Sequence, residues 1–165
     1  MDLMASISIL VGYLAGSVPF AFLLARRAGI DVRRVGSRNV GAANVLRNTG
    51  IGRALAVTML DVAKGAAAVG IAFASTGGNG VAALTGAAAV VGHIYPVWLR
   101  FHGGKGVAVA AGVFAMLTPL ATAIAMALFL VIVSATRYVS LGSVAATLAL
   151  PPAAWLTGAP GAVVG

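Results

Sequence analysis

Thirty consecutive residues, Val107 to Thr136, carry no charge. As one helix, at about 1.5 Å per residue, the run would be about 45 Å long, far beyond the roughly 30 Å hydrocarbon core of a bilayer. The Thr118-Pro119 pair gives the natural break, because proline cannot continue a helix and disfavours helical geometry in the residue before it. The run therefore reads as two helices, Val107 to Leu117 and Leu120 to Thr136. Four further apolar stretches follow the same logic: Leu3 to Ala25 with a kink at Pro19, Ala54 to Ser75 interrupted by Asp61 and Lys64, Val81 to Leu99 containing His93, and Tyr138 to Trp155 weakened by Pro151 and Pro152. The expectation is an all-α, polytopic integral membrane protein with six transmembrane helices, forming a single domain over residues 1–165. A water-soluble fold is excluded, since 8% of residues are charged and mean hydropathy is +1.04, against about 25% charged in soluble domains. The first positive charges, Arg26 and Arg27, follow the first apolar run, which suits a retained span better than a cleaved signal. There is no cysteine, so disulfide and thiol chemistry are excluded.

The basic residues fix the expected sidedness. Seven arginines (26, 27, 33, 34, 38, 47 and 53) lie between the first two spans, Arg100 and Lys105 between the third and fourth, and Arg137 between the fifth and sixth. The opposite connections, "STGGNG" and "LTPL", carry none. Cytoplasmic loops collect Lys and Arg, so the N-terminus is expected outside and loops 26–53 and 100–106 in the cytoplasm. Merging residues 107–136 into one crossing would put Arg137 on the wrong side.

Two of these loops carry more than charge. "VGSRNVGAANVLRNTG", residues 35–50, sets Arg38 and Arg47 among Ser37, Asn39, Asn44, Asn48 and Thr49, with glycines interleaved; it is too polar to cross a bilayer and too rich in glycine to be a good helix. "RFHGGKGVAV", residues 100–109, places Gly-Lys-Gly at the start of a helix. Helix N-termini and glycine-rich backbone turns bind anions. Arginine adds a planar fork for phosphate, and lysine a point charge. Arg26, Arg27, Arg33, Arg34 and Arg137 are read as topology markers that meet anionic headgroups.

Familiar catalytic patterns fail. A P-loop needs Ser or Thr after Gly-Lys, where this chain has Gly106. An H-x-x-x-x-D acyltransferase motif would need aspartate where Trp98 and Val107 stand. There is no glutamate, and Asp2, Asp31 and Asp61 are the aspartates, so neither a metal site nor a Ser-His-Asp set is expected. Asp61 and Lys64 share a helix face, either as a structural ion pair or with Lys64 on the floor of an anion site. His93 is read as a helix-packing hydrogen bonder or as a catalytic group.

"GSVPFAFLLARRAGIDVRRVGSRNVGAANVLRNTG", "DVAKG" and "GHIYPVWLRFHGGKGVAVAAG" resemble, in order and spacing, the signatures of the bacterial acyl-phosphate:glycerol-3-phosphate acyltransferases, the PlsY family: GSxP, GSGNxGATNVLR, DxxKG and GHxFPxFLxFxGGKGVAT. The resemblance spans residues 16–109. It implies an enzyme of phospholipid synthesis in the bacterial inner membrane, with its active face cytoplasmic. That enzyme would move a fatty acyl group from acyl phosphate to the 1-hydroxyl of glycerol 3-phosphate. By the same resemblance, Ser37, Asn39, Asn44, Arg47, Gly103, Gly104, Lys105 and Gly106 would bind the substrate phosphates. Ser37, Arg47, Lys105 and His93 would form the catalytic set. No cofactor, metal or nucleic-acid partner is implied, and the lipid bilayer is the medium. Arg38, Ala43 and Tyr95 stand where the family usually has glycine, threonine and phenylalanine. The family also has a seventh span and a third polar signature, so a 165-residue form is expected to be weakly active or inactive. The alternative reading is a transporter or channel for phosphate or a phosphorylated solute.

Overall fold

The computed structural model describes residues 3–159, which form helices and no strands. The helices are α1 (Leu3–Ser17), α2 (Phe20–Arg26), α3 (Ala42–Thr49), α4 (Ile51–Thr76), α5 (Asn79–Ile94), α6 (Val107–Leu117), α7 (Pro119–Thr136) and α8 (Val139–Leu156), with a single 3-10 turn at Val97–Leu99. Five segments are long and apolar enough to cross a bilayer: Leu3–Arg26, Ile51–Thr76, Asn79–Leu99, Pro119–Thr136 and Val139–Leu156. The chain is thus a multi-pass helical membrane protein. Helix α6 is the exception. Its 11 residues rise about 16 Å, roughly half of a hydrocarbon core.

The structure alters four expectations. The stretch thought too glycine-rich for a helix contains α3, because Gly41 and Gly50 sit at its N-cap and C-cap and the eight residues between them contain no glycine. Helix α4 starts at Ile51, immediately after Gly50, so Arg53 belongs to its first turn and not to the loop. The third span ends as an α-helix at Ile94, because Pro96 forces a turn before the 3-10 segment. The kink at Pro19 is a full break between α1 and α2, whereas α8 continues through Pro151 and Pro152.

Close helix packing uses missing side chains. Lipid is as apolar as leucine, so membrane helices associate by close van der Waals contact between small residues. On α1, Gly12 and Gly16 lie against the backbone of Thr85 and Ala89 on α5. Gly65 of α4 meets the Val109 carbonyl of α6, and Gly112 of α6 returns the contact at the Val62 carbonyl. Helices α7 and α8 pair through buried Ala121, Ala153 and Ala154. A cleft of about 1430 Å³ separates this hairpin from α4 and α6.

Candidate active site

The first wall of the cleft is residues 30–41, an irregular segment with a side chain as its scaffold. Asn44, on the first turn of α3, is fully buried. Its Nδ2 donates to the carbonyls of Val32 at 2.9 Å, Asn39 at 3.1 Å and Val35 at 3.2 Å, while Oδ1 accepts from the Ser37 N–H at 3.1 Å and Asn48 Nδ2 at 3.1 Å. Apolar packing of Val32, Val40 and Val45 with Phe22 and Leu99 seals the inner face. The outer face carries Ser37, Arg38, Asn39 and Arg47 into the cleft.

The second wall is the turn from α5 to α6. Gly103 and Gly104 donate to the carbonyls of Ile94 at 3.0 Å and His93 at 3.1 Å, folding residues 100–106 back over the end of α5. Backbone N–H groups taken out of water need partners, and these bonds supply them for the turn. A methyl group on Gly104 would fall on His93 Nε2 and lie 2.6 Å from the Val40 carbonyl, so the two walls touch at this point. Gly106 adopts φ +79, a left-handed geometry that glycine takes without steric cost. It turns the chain into α6, whose first residues Val107 and Ala108 border the cleft. The uncapped N-terminus of α6 therefore offers free amides and a positive dipole end there.

Charge in the cleft is uneven. Arg33 grips Asp31 through two bonds of 2.9 and 2.7 Å and lies 4.5 Å over the Phe22 ring. Its guanidinium holds the Asp31 carboxyl at about 2, below the ordinary 3.8. Arg33 is thus pinned, which its reading as a headgroup marker did not foresee. Arg34 reaches the same carboxylate at 3.7 Å. Among the described residues, Arg38, Arg47, Arg100 and Lys105 have no acidic partner, and all four line the cleft. Dianionic groups would be attracted there.

Of the residues singled out from sequence, Ser37, Asn39, Arg47, His93, Gly103, Lys105 and Gly106 share the cleft. Asn44 and Gly104 do not face it; Asn44 braces the loop, and Gly104 seats the loop on His93. Arg38, singled out with Arg47 in the first loop, lines the cleft too; Arg34, Arg100, His102 and Thr58 also line it but were not named as site residues. The charged ones were visible in the two loops, with nothing in the residue types to say which way they turn. At the cleft floor, Asp61, Lys64 and His93 form a buried cluster: Lys64 Nζ is 2.9 Å from Asp61 Oδ1 and 3.0 Å from His93 Nδ1. No group of three or more metal-ligating side chains occurs among the described residues.

A multi-pass helical bundle with a cationic cleft, walled by two glycine-bearing loops and a hairpin of apolar helices, defines a membrane protein built to hold anions beside lipid. A family profile described as glycerol-3-phosphate acyltransferase matches residues 6–165. A glycerol-3-phosphate acyltransferase of Hyphomonas neptunium is 43% identical over 155 residues, covering 93% of this chain and 74% of the relative. One from Rubrobacter xylanophilus is 48% identical over 153 residues, covering 92% and 76%. The crystal structure of PlsY (YgiH), an integral membrane glycerol 3-phosphate acyltransferase, in its glycerol 3-phosphate form superposes with a TM-score of 0.92 at 40% identity, over 97% of this chain and 80% of that one. Its lysophosphatidic acid form gives 0.90 at 38%, with the same coverage. The chain belongs to the glycerol-3-phosphate acyltransferase family. It spans about three quarters of the length of these curated relatives.

Proposed function

We propose that residues 1–165 act as one membrane domain that transfers a fatty acyl group from acyl phosphate to the 1-hydroxyl of glycerol 3-phosphate, giving lysophosphatidic acid and phosphate. The observation that carries this reading is the composition of the large cleft. One side presents Ser37, Asn39, Arg47, Gly103, Lys105 and Gly106, and the other presents Phe114, Met126 and Phe129 of α6 and α7. An amphiphile with a phosphorylated head and an acyl tail suits both sides at once. The basic face is cytoplasmic in this reading, and the membrane is the bacterial inner membrane.

The chemistry asks little of the protein beyond placement. The glycerol oxygen forms a bond to the acyl carbon, and the bond from that carbon to the phosphate oxygen breaks. The departing phosphate takes the hydroxyl proton, so neither a cofactor nor a protein base enters the balance. What the protein supplies is proximity of two phosphorylated molecules and neutralisation of their charge. Arg47 offers a fork, Lys105 a point charge, and the start of α6 its free amides. Ser37 and Asn39 add neutral hydrogen bonds.

Purified chain in detergent micelles, supplied with acyl phosphate and radiolabelled glycerol 3-phosphate, tests the reading. The same assay is run on the chain continued by the C-terminal quarter of the Hyphomonas neptunium relative. Lysophosphatidic acid formed without any sealed compartment supports the enzyme. Phosphate flux into liposomes with no product in either form would establish the transporter instead.

A further inference from the structure

Lys64, Asp61 and His93 cluster at the cleft floor, 7%, 2% and 9% exposed, with Asp61 and His93 in its lining. Ionisable groups within a bilayer are costly and persist where they have partners and a task. The Lys64 ammonium carries three N–H donors and no acceptor. Nζ donates to the Val18 carbonyl at 2.8 Å, which the break at Pro19 turns toward it, and to His93 Nδ1 at 3.0 Å. It also pairs with Asp61 Oδ1 at 2.9 Å, at angles that miss those of a hydrogen bond; His93 Nδ1 lies 3.6 Å from the same oxygen, beyond hydrogen-bond reach.

This arrangement fixes a proton. Because an ammonium cannot accept, Nδ1 of His93 must present its lone pair, and a neutral imidazole then carries its one hydrogen on Nε2. Nε2 points to the contact between the walls, where Gly104 of the second loop and the Val40 carbonyl of the first converge. Among the described residues it has no hydrogen-bond partner within the protein. A void of about 10 Å³ beside it, bordered by Ser17, Val40 and Gly104, has room for about one water.

We propose that Lys64 is a positioning residue that locks His93 as the Nε2–H tautomer, so that His93 turns its one N–H toward the junction of the two phosphate loops and donates it to a single water in the adjoining void, which joins the loops there. His93 accepts no proton in the reaction. The ammonium sets the ring, the ring seats Gly104, and Gly104 places Lys105 and the start of α6 opposite Ser37 and Arg47. The tautomer and the register stand on geometry alone; their use in acyl transfer rests on the function proposed above.

Histidine-labelled protein in lipid nanodiscs, read by 15N NMR, is the test. Without any ligand, Nδ1 of His93 is expected to show an unprotonated resonance and Nε2 a protonated one. A proton on Nδ1, or on both nitrogens, would overturn the assignment in the unaltered protein, whatever the fate of any variant. His93→Gln keeps a donor near Nε2 and cannot serve as a base. In 15N-glycine-labelled protein it is expected to preserve the Gly103 and Gly104 amide resonances and to retain acylation within about tenfold, whereas His93→Ala loses both. Equal loss in His93→Gln and His93→Ala would overturn the donor role. Absence of any response to added glycerol 3-phosphate in the unaltered protein would count against the function and leave the tautomer result standing.

Discussion

The side-chain amide of Asn44 donates to the carbonyl of Val32 at 2.9 Å, tying the first turn of α3 to a loop 12 residues earlier. Its other bonds reach Asn39, Val35, Ser37 and Asn48, so the residue that looked like a phosphate ligand braces the loop that carries Ser37 and Asn39. Asn44→Ala would leave several buried backbone groups without partners, at a cost of roughly 2–4 kcal/mol. Thermal unfolding in detergent should register that loss, together with weaker glycerol 3-phosphate binding. Ser37→Ala should weaken binding while leaving the melting temperature nearly unchanged. A stable Asn44→Ala protein that fails only in binding would make Asn44 a ligand after all.

Asp31 sets a second expectation, for pH. Its folded value of about 2 lies below the ordinary 3.8, so its pairing with Arg33 contributes fully above about pH 4. The contribution falls with acidification and is gone below about pH 2, once the carboxyl is protonated in folded and unfolded chains alike. The 13C shift of the Asp31 carboxyl should titrate with a midpoint near 2. Arg33→Met should return that midpoint to the ordinary carboxylate range. A midpoint already near 3.8 in the unaltered protein would mean the pair does not form in solution.

Arg38 adopts φ +59, a conformation that costs an ordinary side chain about 1–2 kcal/mol. Glycine avoids that strain but gives back part of the gain through its looser unfolded chain. Arg38→Gly should therefore stabilise the protein by roughly 0.5–1 kcal/mol, and Arg38→Val should destabilise it, since a β-branched residue fits left-handed geometry poorly. Melting temperatures of the three proteins check the order.

The same residue shows how far sequence could go. That glycine belongs at position 38 was legible from the motif resemblance, while the reason, a positive φ, came only with the backbone. The helices were legible because their apolar runs are long and their breaks fall at Pro19, Thr118-Pro119 and the glycine pairs. Helix α3 was obscured because Gly41 and Gly50 look like helix breakers when counted within the segment, yet they act as its ends. The cationic character of the site was written in the two loops. Residue type could not say that Asn44 turns toward its own backbone and Gly104 toward His93 rather than toward the cleft. The Lys64–His93 contact joins residues 29 apart across two helices, a distance over which helical periodicity carries no information.

Sidedness has its own test. Residues from the connections 26–53 and 100–106 line one cleft, which requires an even number of crossings between them. Asn48 lies in the first of these connections, and Asn79 opens α5 after the opposite turn. Cysteines introduced singly at Asn48 and Asn79 should label from opposite sides of intact spheroplasts, Asn79 from outside. Labelling of both from outside would overturn the topology and the cytoplasmic site with it.

Arg47 and Lys105 should be the two most costly basic side chains to remove. Arg47 sits on the last turn of α3 and Lys105 one residue before the glycine that opens α6, so they approach the cleft from opposite loops. Neither has an acidic partner among the described residues, so each is free to close on one face of a phosphate. Hydrogen bonds to charged groups contribute about 1.5–3 kcal/mol each, and about 1.4 kcal/mol is tenfold in rate. Arg47→Ala and Lys105→Ala should each slow acylation by roughly ten- to more than a hundredfold. Arg47→Lys should restore charge without the fork and stay substantially impaired. Arg33→Ala is a poor control, because it also releases Asp31 and uncovers Phe22. Arg137, in the turn between α7 and α8 and outside the cleft lining, is the better one, and Arg137→Ala should change the rate little. Initial rates against both substrates, at matched protein amounts and in the chain continued by the C-terminal quarter of a relative, supply the comparison. If Arg137→Ala proved as damaging as Arg47→Ala, the basic face would be acting through diffuse charge, and the specific phosphate contacts assigned to Arg47 and Lys105 would fall.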